Sequence, residues 1–281
     1  MSATARPRLT AEFVEREYNN RALVPDHGAY FARWEKDSAF VRETLAAHLD
    51  LAYGPHPRHR IDLFPAGKAR GTLMFMHGGY WRSLDKNMFS WLAASWVAAG
   101  VSVAMPSYRL APEVRIDDIV DDAIAAANWL AANGARYGMA VDRLVVSGHS
   151  AGGHLTAALF AAPRERLAFD PACIAGGVPI SGIFDFEPML QFAFNADFKL
   201  DEAAARRLSL LERRPTVNAP LVVAAGAAES SEFRRQSRDL AHAWSPQARP
   251  ALILPGLHHF SIVDSFAERS QPLYEATLAL F

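Results

Sequence analysis

The stretch VVSGHSAGGHL spans residues 145–155. An apolar run enters it, Gly148-His149-Ser150-Ala151-Gly152 crosses it, and a second apolar run, GHLTAALFAA, continues to Pro163. The first run reads as a buried strand and the second as a helix that stops before the proline. A serine between glycines at such a junction has two readings. One is a plain tight turn. The other is a nucleophile elbow, where a sharp strand-to-helix turn forces the central residue into strained dihedrals and small neighbours let strand and helix approach. The strand-before, helix-after setting favours the elbow, with Ser150 as the reacting residue.

Working outward, residues 72–76, 101–105, 143–148, 174–181, 220–226 and 251–256 are short, nearly continuous apolar runs. They lack the polar alternation of half-exposed strands and suit parallel strands covered on both faces. Helical patterns lie between them. One starts at Asp85, an N-cap candidate, and stops at Gly100; another runs from Ile116 to Gly134, with Ile116, Ile119, Val120, Ala123, Ile124 and Ala127 on one face. Strand alternating with helix implies right-handed crossovers and an α/β fold with a mostly parallel, doubly wound sheet. Residues 49–54 and 59–65 predict two further strands joined by a Pro-rich turn, and residues 10–48 two helices interrupted at Pro25 and Gly28. Residues 182–219 are too long for a simple crossover and predict a helical, cap-like insertion. Its phenylalanines Phe184, Phe186, Phe192, Phe194 and Phe198 suit either local core or a lid over a pocket. No repeat or linker divides residues 1–281, so one domain is expected.

Composition narrows the function. The chain has 281 residues, 51% of them hydrophobic, and a formal net charge of −1, which gives no footprint for nucleic acid and no basic run for a membrane surface. The single cysteine, Cys173, lies in an apolar context and reads as core packing. One cysteine builds no disulfide framework, and the N-terminal residues show no apolar leader core, so a cytoplasmic protein is expected. The expected partner is a small-molecule substrate. The helices of residues 10–48 are candidates to shield a pocket or to form a homodimer contact. No His, Cys or carboxylate group has metal-ligand spacing, and neither metal nor cofactor is expected.

A serine hydroxyl needs a base, and the base an orienting carboxylate. In elbow-bearing sheets these partners follow on loops after later strands, in the order serine, acid, histidine. The strand at 220–226 is followed by Glu229, and the strand at 251–256 by His258 and His259. Spacing leaves both histidines open. Asp185, after the preceding strand, is an alternative acid, and Glu232 and Asp264 are less well placed. His149 and His154 flank the elbow as packing or hydrogen-bonding residues. An oxyanion hole is expected from the backbone N–H groups of Gly78 and Gly79, which follow the strand at 72–76, and of Ala151, just after the serine.

The motifs HGGYW (77–81), YRLAPE (108–113) and GHSAGGHL (148–155) resemble the α/β-hydrolase superfamily, in the branch related to hormone-sensitive lipases and esterases, from about residue 50 onward. HGGYW, SGIFDFEP (181–188), ESSEFRRQS (229–237) and HHFSIVD (258–264) are further similar to the serine-type kynurenine formamidases, or arylformamidases. That resemblance implies the α/β-hydrolase fold and a triad of Ser150, Glu229 and His259, since the family histidine precedes a Phe. The family commonly has Asp where this chain has Glu229. It also implies cleavage of an aryl formamide such as N-formylkynurenine, by way of a formyl-enzyme. Tyr80 and Trp81 would then wall the aromatic leaving group. A short-chain carboxylesterase, or another amide or carbamate hydrolase, would carry the same triad.

Overall fold

The computed structural model describes residues 9–281; Met1–Arg8, the first part of the stretch expected to lack a leader, lie outside the described residues. The strands are β1 (His48–Ala52), β2 (Arg60–Phe64), β3 (Thr72–Met76), β4 (Ser102–Pro106), β5 (Leu144–His149), β6 (Ile174–Ile180), β7 (Ala224–Gly226) and β8 (Leu252–Leu254). The helices are α1 (Ala11–Tyr18), α2 (Asn20–Leu23), α3 (His27–Thr44), α4 (Leu92–Ala98), α5 (Ile116–Asn133), α6 (Ala151–Phe160), α7 (Asn195–Phe198), α8 (Glu202–Leu208), α9 (Ser231–Ala243), α10 (Ser261–Ala267) and α11 (Pro272–Leu278).

The strands form one eight-stranded sheet in the order β1-β2-β4-β3-β5-β6-β7-β8. β2 is antiparallel to both β1 and β4, and the other neighbouring pairs are parallel. Side chains alternate between two cores, one on each face. Met74, Met76, Leu144 and Val146 enter one, and Leu73, Phe75 and Val145 the other. This is why the central strands read as unbroken apolar runs. From β3 the chain steps to β4 on one side and then returns past β3 to β5, so the winding reverses between β3 and β5. The carboxyl ends of strands at such a reversal diverge and leave a crevice for ligand. The Gly78-Gly79 loop leaves β3 there, and Ser150 leaves β5.

Local differences from the sequence expectation have physical causes. The 85–100 helix is split into a tight turn at Lys86–Phe89, capped by Asp85, and α4. At 220–226 only β7 pairs continuously. Leu221 makes isolated bridges upstream of it, beside Pro220, which has no N–H for the ladder. In β2 Asp62 alternates with Ile61 and Leu63 as a solvent-facing residue would, yet it is fully buried, held by the Arg42 guanidinium and by Lys86 Nζ at 2.9 Å. The N-terminal helical stretch has a further break at Asn19, whose side chain caps α2, while α3 runs through Gly28. The insertion forms only short helices, α7, α8 and a turn at Glu187–Leu190. Cys173 is half-buried rather than in the core. Among the described residues no helix is long and apolar enough to cross a membrane.

The elbow rests on a backbone contact too close for any side chain. A Cβ on Gly152 would sit 2.0 Å from the carbonyl oxygen of Met76, at the end of β3. Gly152→Ala is therefore expected to lose at least about 3 kcal/mol of stability or fail to accumulate as folded protein. Gly28→Ala, where nothing lies within 4 Å, is expected to gain about 0.5 kcal/mol. Urea unfolding of the two variants beside the parent checks both.

Candidate active site

Ser150 has φ 57° and ψ −115°, the strained corner expected of an elbow. Its N–H donates to the Ile180 carbonyl at 2.8 Å, which ties the corner to the end of β6. The next residue, Ala151, opens α6. The first N–H groups of a helix have no intrahelical partner, so that of Ala151 is free for a ligand. Gly78 backs onto the same corner: a Cβ there would meet Ser150 Cβ at 3.2 Å and the His149 carbonyl oxygen at 3.1 Å. Gly79, Tyr80 and Trp81 then all take positive φ, at 113°, 51° and 53°. Tyr80 and Trp81 pay that conformational cost because packing over-determines the loop.

His77 braces the loop from behind. Its Nδ1 donates to the Gly78 carbonyl at 2.7 Å, and its ring stacks on Tyr108 with centroids 4.2 Å apart. The Tyr108 hydroxyl donates to the His77 carbonyl at 2.7 Å. Burial pushes the His77 imidazole down to about 4, so it stays neutral near pH 7 with its hydrogen on Nδ1.

The histidine and the acid meet from different loops. His259 Nδ1 donates to Glu229 Oε2 at 2.7 Å. The other carboxylate oxygen, Oε1, accepts from Ser181 Oγ and from the Gly226 N–H, both at 2.6 Å. Three donors thus fix an acid with a fully buried side chain. The longer glutamate is accommodated by the end of β7 on one side and Ser181, itself at φ 49°, on the other. With Nδ1 committed to Glu229, the basic nitrogen of His259 is Nε2. Among the described residues no hydrogen bond joins Ser150 to His259; both line one cavity of about 250 Å³. Hydrogen bonds of this kind often tighten only when substrate is bound.

The other candidates have different work. The His258 ring meets the Tyr30 hydroxyl at 3.2 Å, toward α3. Asp264 holds Arg33 at 2.6 Å and the Trp34 indole at 2.9 Å. Asp185 and Glu232 both bind Arg235, at 3.3 and 2.8 Å. The His149 ring packs tilted against His259 with ring centroids 4.5 Å apart, and His154 lies buried against Trp81.

The cavity has an aromatic wall, and only part of it was anticipated. Tyr80 lines it, as do Phe194, Phe31, Trp34, Phe89 and Phe260. Trp81 is 0% exposed and packs on His154, Phe186 and Phe198, so it supports the wall from inside the core and does not face substrate. Of the five phenylalanines in the insertion, Phe194 reaches the cavity, while Phe184, Phe186, Phe192 and Phe198 are buried. The N-terminal segment, expected either to shield a pocket or to form a subunit contact, lines the cavity through residues not singled out in the sequence: Asn19, Asn20 and Arg21, beside Phe31 and Trp34. None of the motifs quoted from the sequence marks these residues, since all of those motifs lie beyond residue 50. Ser181, by contrast, lies inside the quoted SGIFDFEP motif.

Fold and site geometry together define the class. Residues 73–237 match the alpha/beta hydrolase fold family, and the chain belongs to it: an enzyme of the α/β-hydrolase type. The chain is 27% identical to the kynurenine formamidase of Salmo salar, in a comparison covering 97% of this chain and 95% of that protein. It is 25% identical to the kynurenine formamidase of Danio rerio, over 98% of this chain and 91% of the other. Among solved structures it is similar to a candidate thioesterase from Silicibacter sp. TM1040, with 35% identity, a TM-score of 0.83 and coverage of 94% and 97% of the two chains. Esterase B from Lactobacillus rhamnosis, 18% identical with a TM-score of 0.68 over 92% of this chain and 93% of that one, shares the fold.

Three buried imidazoles surround this site. Burial lowers His77 to about 4 and His154 to about 3, and it holds His149 well below its ordinary value, helped by His259. All three are neutral when folded, while the unfolded chain takes up their protons below about pH 6.5. Their contribution to stability is therefore intact above that pH and is lost as pH falls from 6.5 toward 4. Urea unfolding free energies should decline over this window with a slope approaching about 1.4 kcal/mol per pH unit for each histidine. A flat profile between pH 6.5 and 4.5 would contradict the assignment of neutral imidazoles.

Proposed function

We propose that this enzyme is a serine hydrolase that cleaves an aryl formamide such as N-formylkynurenine to formate and the free aryl amine. One observation carries the reading: Ser150 and His259, the latter held from behind by Glu229, face a single aromatic-walled cavity. The near full-length similarity to kynurenine formamidases supports the substrate class. Ser150 Oγ attacks the formyl carbon as His259 Nε2 takes the hydroxyl proton. Glu229 holds the imidazole in the tautomer that can accept it and stabilises the imidazolium that results. The N–H groups of Gly78, Gly79 and Ala151 receive the oxyanion. Collapse breaks the carbon–nitrogen bond, and His259 passes its proton to the departing amine. Water, deprotonated by the same imidazole, then attacks the formyl-enzyme and releases formate.

The chemistry suits such a cavity. A one-carbon acyl group needs little room, whereas the leaving aryl amine needs aromatic surface, which Tyr80 and Phe194 supply. A short-chain carboxylesterase would use the same groups, and the likeness to a candidate thioesterase at 35% identity favours keeping it as the second reading. The proposed place of action is the cytoplasm, which suits a chain with one cysteine.

Kynurenine release from N-formylkynurenine, compared with hydrolysis of p-nitrophenyl esters of rising acyl length, separates the two. The formamidase reading expects the formamide to give the higher kcat/KM. A preference for acyl chains longer than acetyl would replace it with the esterase. Ser150→Ala should lower kcat by at least about 10⁴-fold and abolish labelling by an organophosphonate. Glu229→Gln should lower kcat by about 10²- to 10⁴-fold while leaving the fold intact, as circular dichroism would show.

A further inference from the structure

Asn20 is 4% exposed and lines the cavity, yet its side-chain Nδ2 has no hydrogen-bond partner. Buried amides are ordinarily paired, so an orphan donor at the wall of an active-site cavity marks a place where a ligand acceptor belongs. Arg21, the next residue, lines the same cavity, with its guanidinium 5.6 Å from the centre of the Phe31 ring. No described carboxylate pairs with it. The other arginine on the wall, Arg82, is committed to Asp197 at 2.7 Å and lies 4.2 Å above the Phe194 ring. Among the described residues no Asp or Glu lines this cavity. Its wall therefore carries one unneutralised cation beside one unsatisfied amide, with no acid to repel an anion.

The segment bearing these groups is fixed in place. The Asn19 side chain accepts from the Ala22 N–H at 3.1 Å and donates to Glu15 at 2.6 Å. The Tyr18 hydroxyl donates to Glu232 at 2.9 Å and accepts from Gln236 at 2.9 Å. The Tyr80 hydroxyl donates to the Tyr18 carbonyl, so the oxyanion loop is joined through one side chain to the end of α1, two residues before Asn20. A ligand bound at Asn20 is thereby held in a constant relation to the loop that faces Ser150.

We propose that Asn20 and Arg21 form an anion-recognising subsite for a carboxylate on the leaving-group part of the substrate. The inference rests on the hydrolase reading above, with Ser150 as the reacting centre. A formyl group has no position for a charge, so the recognised anion sits on the departing amine or alcohol. Arg21 supplies the charge, and the Asn20 amide supplies a fixed donor that selects position. Specificity for an anionic aryl substrate would then come from the N-terminal segment, and the chemistry from the sheet.

Paired chromogenic esters test this independently of the formamide. p-Nitrophenyl acetate and its ring-carboxylated analogue differ only by a carboxylate on the leaving group. The parent enzyme should favour the carboxylated ester, and rising ionic strength should narrow that preference. In Arg21→Ala the ratio of kcat/KM, carboxylated over uncharged, should fall about tenfold, mainly through KM, and Arg21→Lys should restore part of it. Asn20→Asp should lower the ratio further by setting a like charge in the subsite. Arg21 is exposed, so its variants stay folded if the buried Asn20 variant does not. A parent enzyme with no preference, or an unchanged ratio in Arg21→Ala, overturns the proposal. If the ratio falls as stated but N-formylkynurenine is not cleaved, the subsite stands and the formamidase reading falls.

Discussion

The structure depends on one steric constraint: the closeness of β3, β5 and α6 where they meet. The helix starts so near the end of β3 that its second residue can carry no side chain, because a Cβ on Gly152 would overlap the Met76 carbonyl. The chain can turn from strand to helix in that space only through a strained corner, and Ser150 is that corner. The same closeness presses Gly78 against Ser150, so the loop with the candidate oxyanion donors is adjacent to the serine by packing. Most charge stabilisation in reactions of this kind comes from donors fixed before the charge develops, and a backbone held on both sides is such a donor.

The acidic residues show how burial and pairing sort side chains of like chemistry into different tasks. Glu229 accepts from His259, Ser181 and Gly226, which leaves it fixed and close to the imidazole. Asp264 is taken up by Arg33 and Trp34, and so anchors α3 over the sheet. Glu232 and Asp185 share Arg235, and Glu232 also receives the Tyr18 hydroxyl that pins the end of α1. Two of the three rejected acids thus fasten the N-terminal segment against the active-site face. Position along the chain made all four plausible, and only their partners tell them apart.

Much of the fold was legible in sequence because it follows from local rules. The central strands are covered on both faces, so their apolar runs are continuous and their bounds differ from expectation by a residue or so. The elbow carries its own signature, since steric need for small residues around a reactive serine writes glycines at fixed offsets. The burial of Asp62 in β2 was not legible, because a buried carboxylate paired with Arg42 and Lys86 looks, in sequence, like a solvent-facing one. Trp81 read as a substrate wall because it follows Tyr80. Yet the two successive residues point apart, Tyr80 into the cavity and Trp81 into the core.

The sequence by itself determined a doubly wound α/β sheet, the serine corner, the glycine loop and the order of serine, acid and histidine, because each is encoded by residues near one another in the chain. Tertiary structure decided the rest. It joined His259, which spacing left open and the family resemblance picked out, to Glu229, lent Ser181 to that carboxylate, and brought Asn20, Arg21 and Phe31 over a site whose serine lies far along the chain. Those contacts arise from docking a segment across the mouth of a sheet, and no local spacing records which side chain a docked surface will meet.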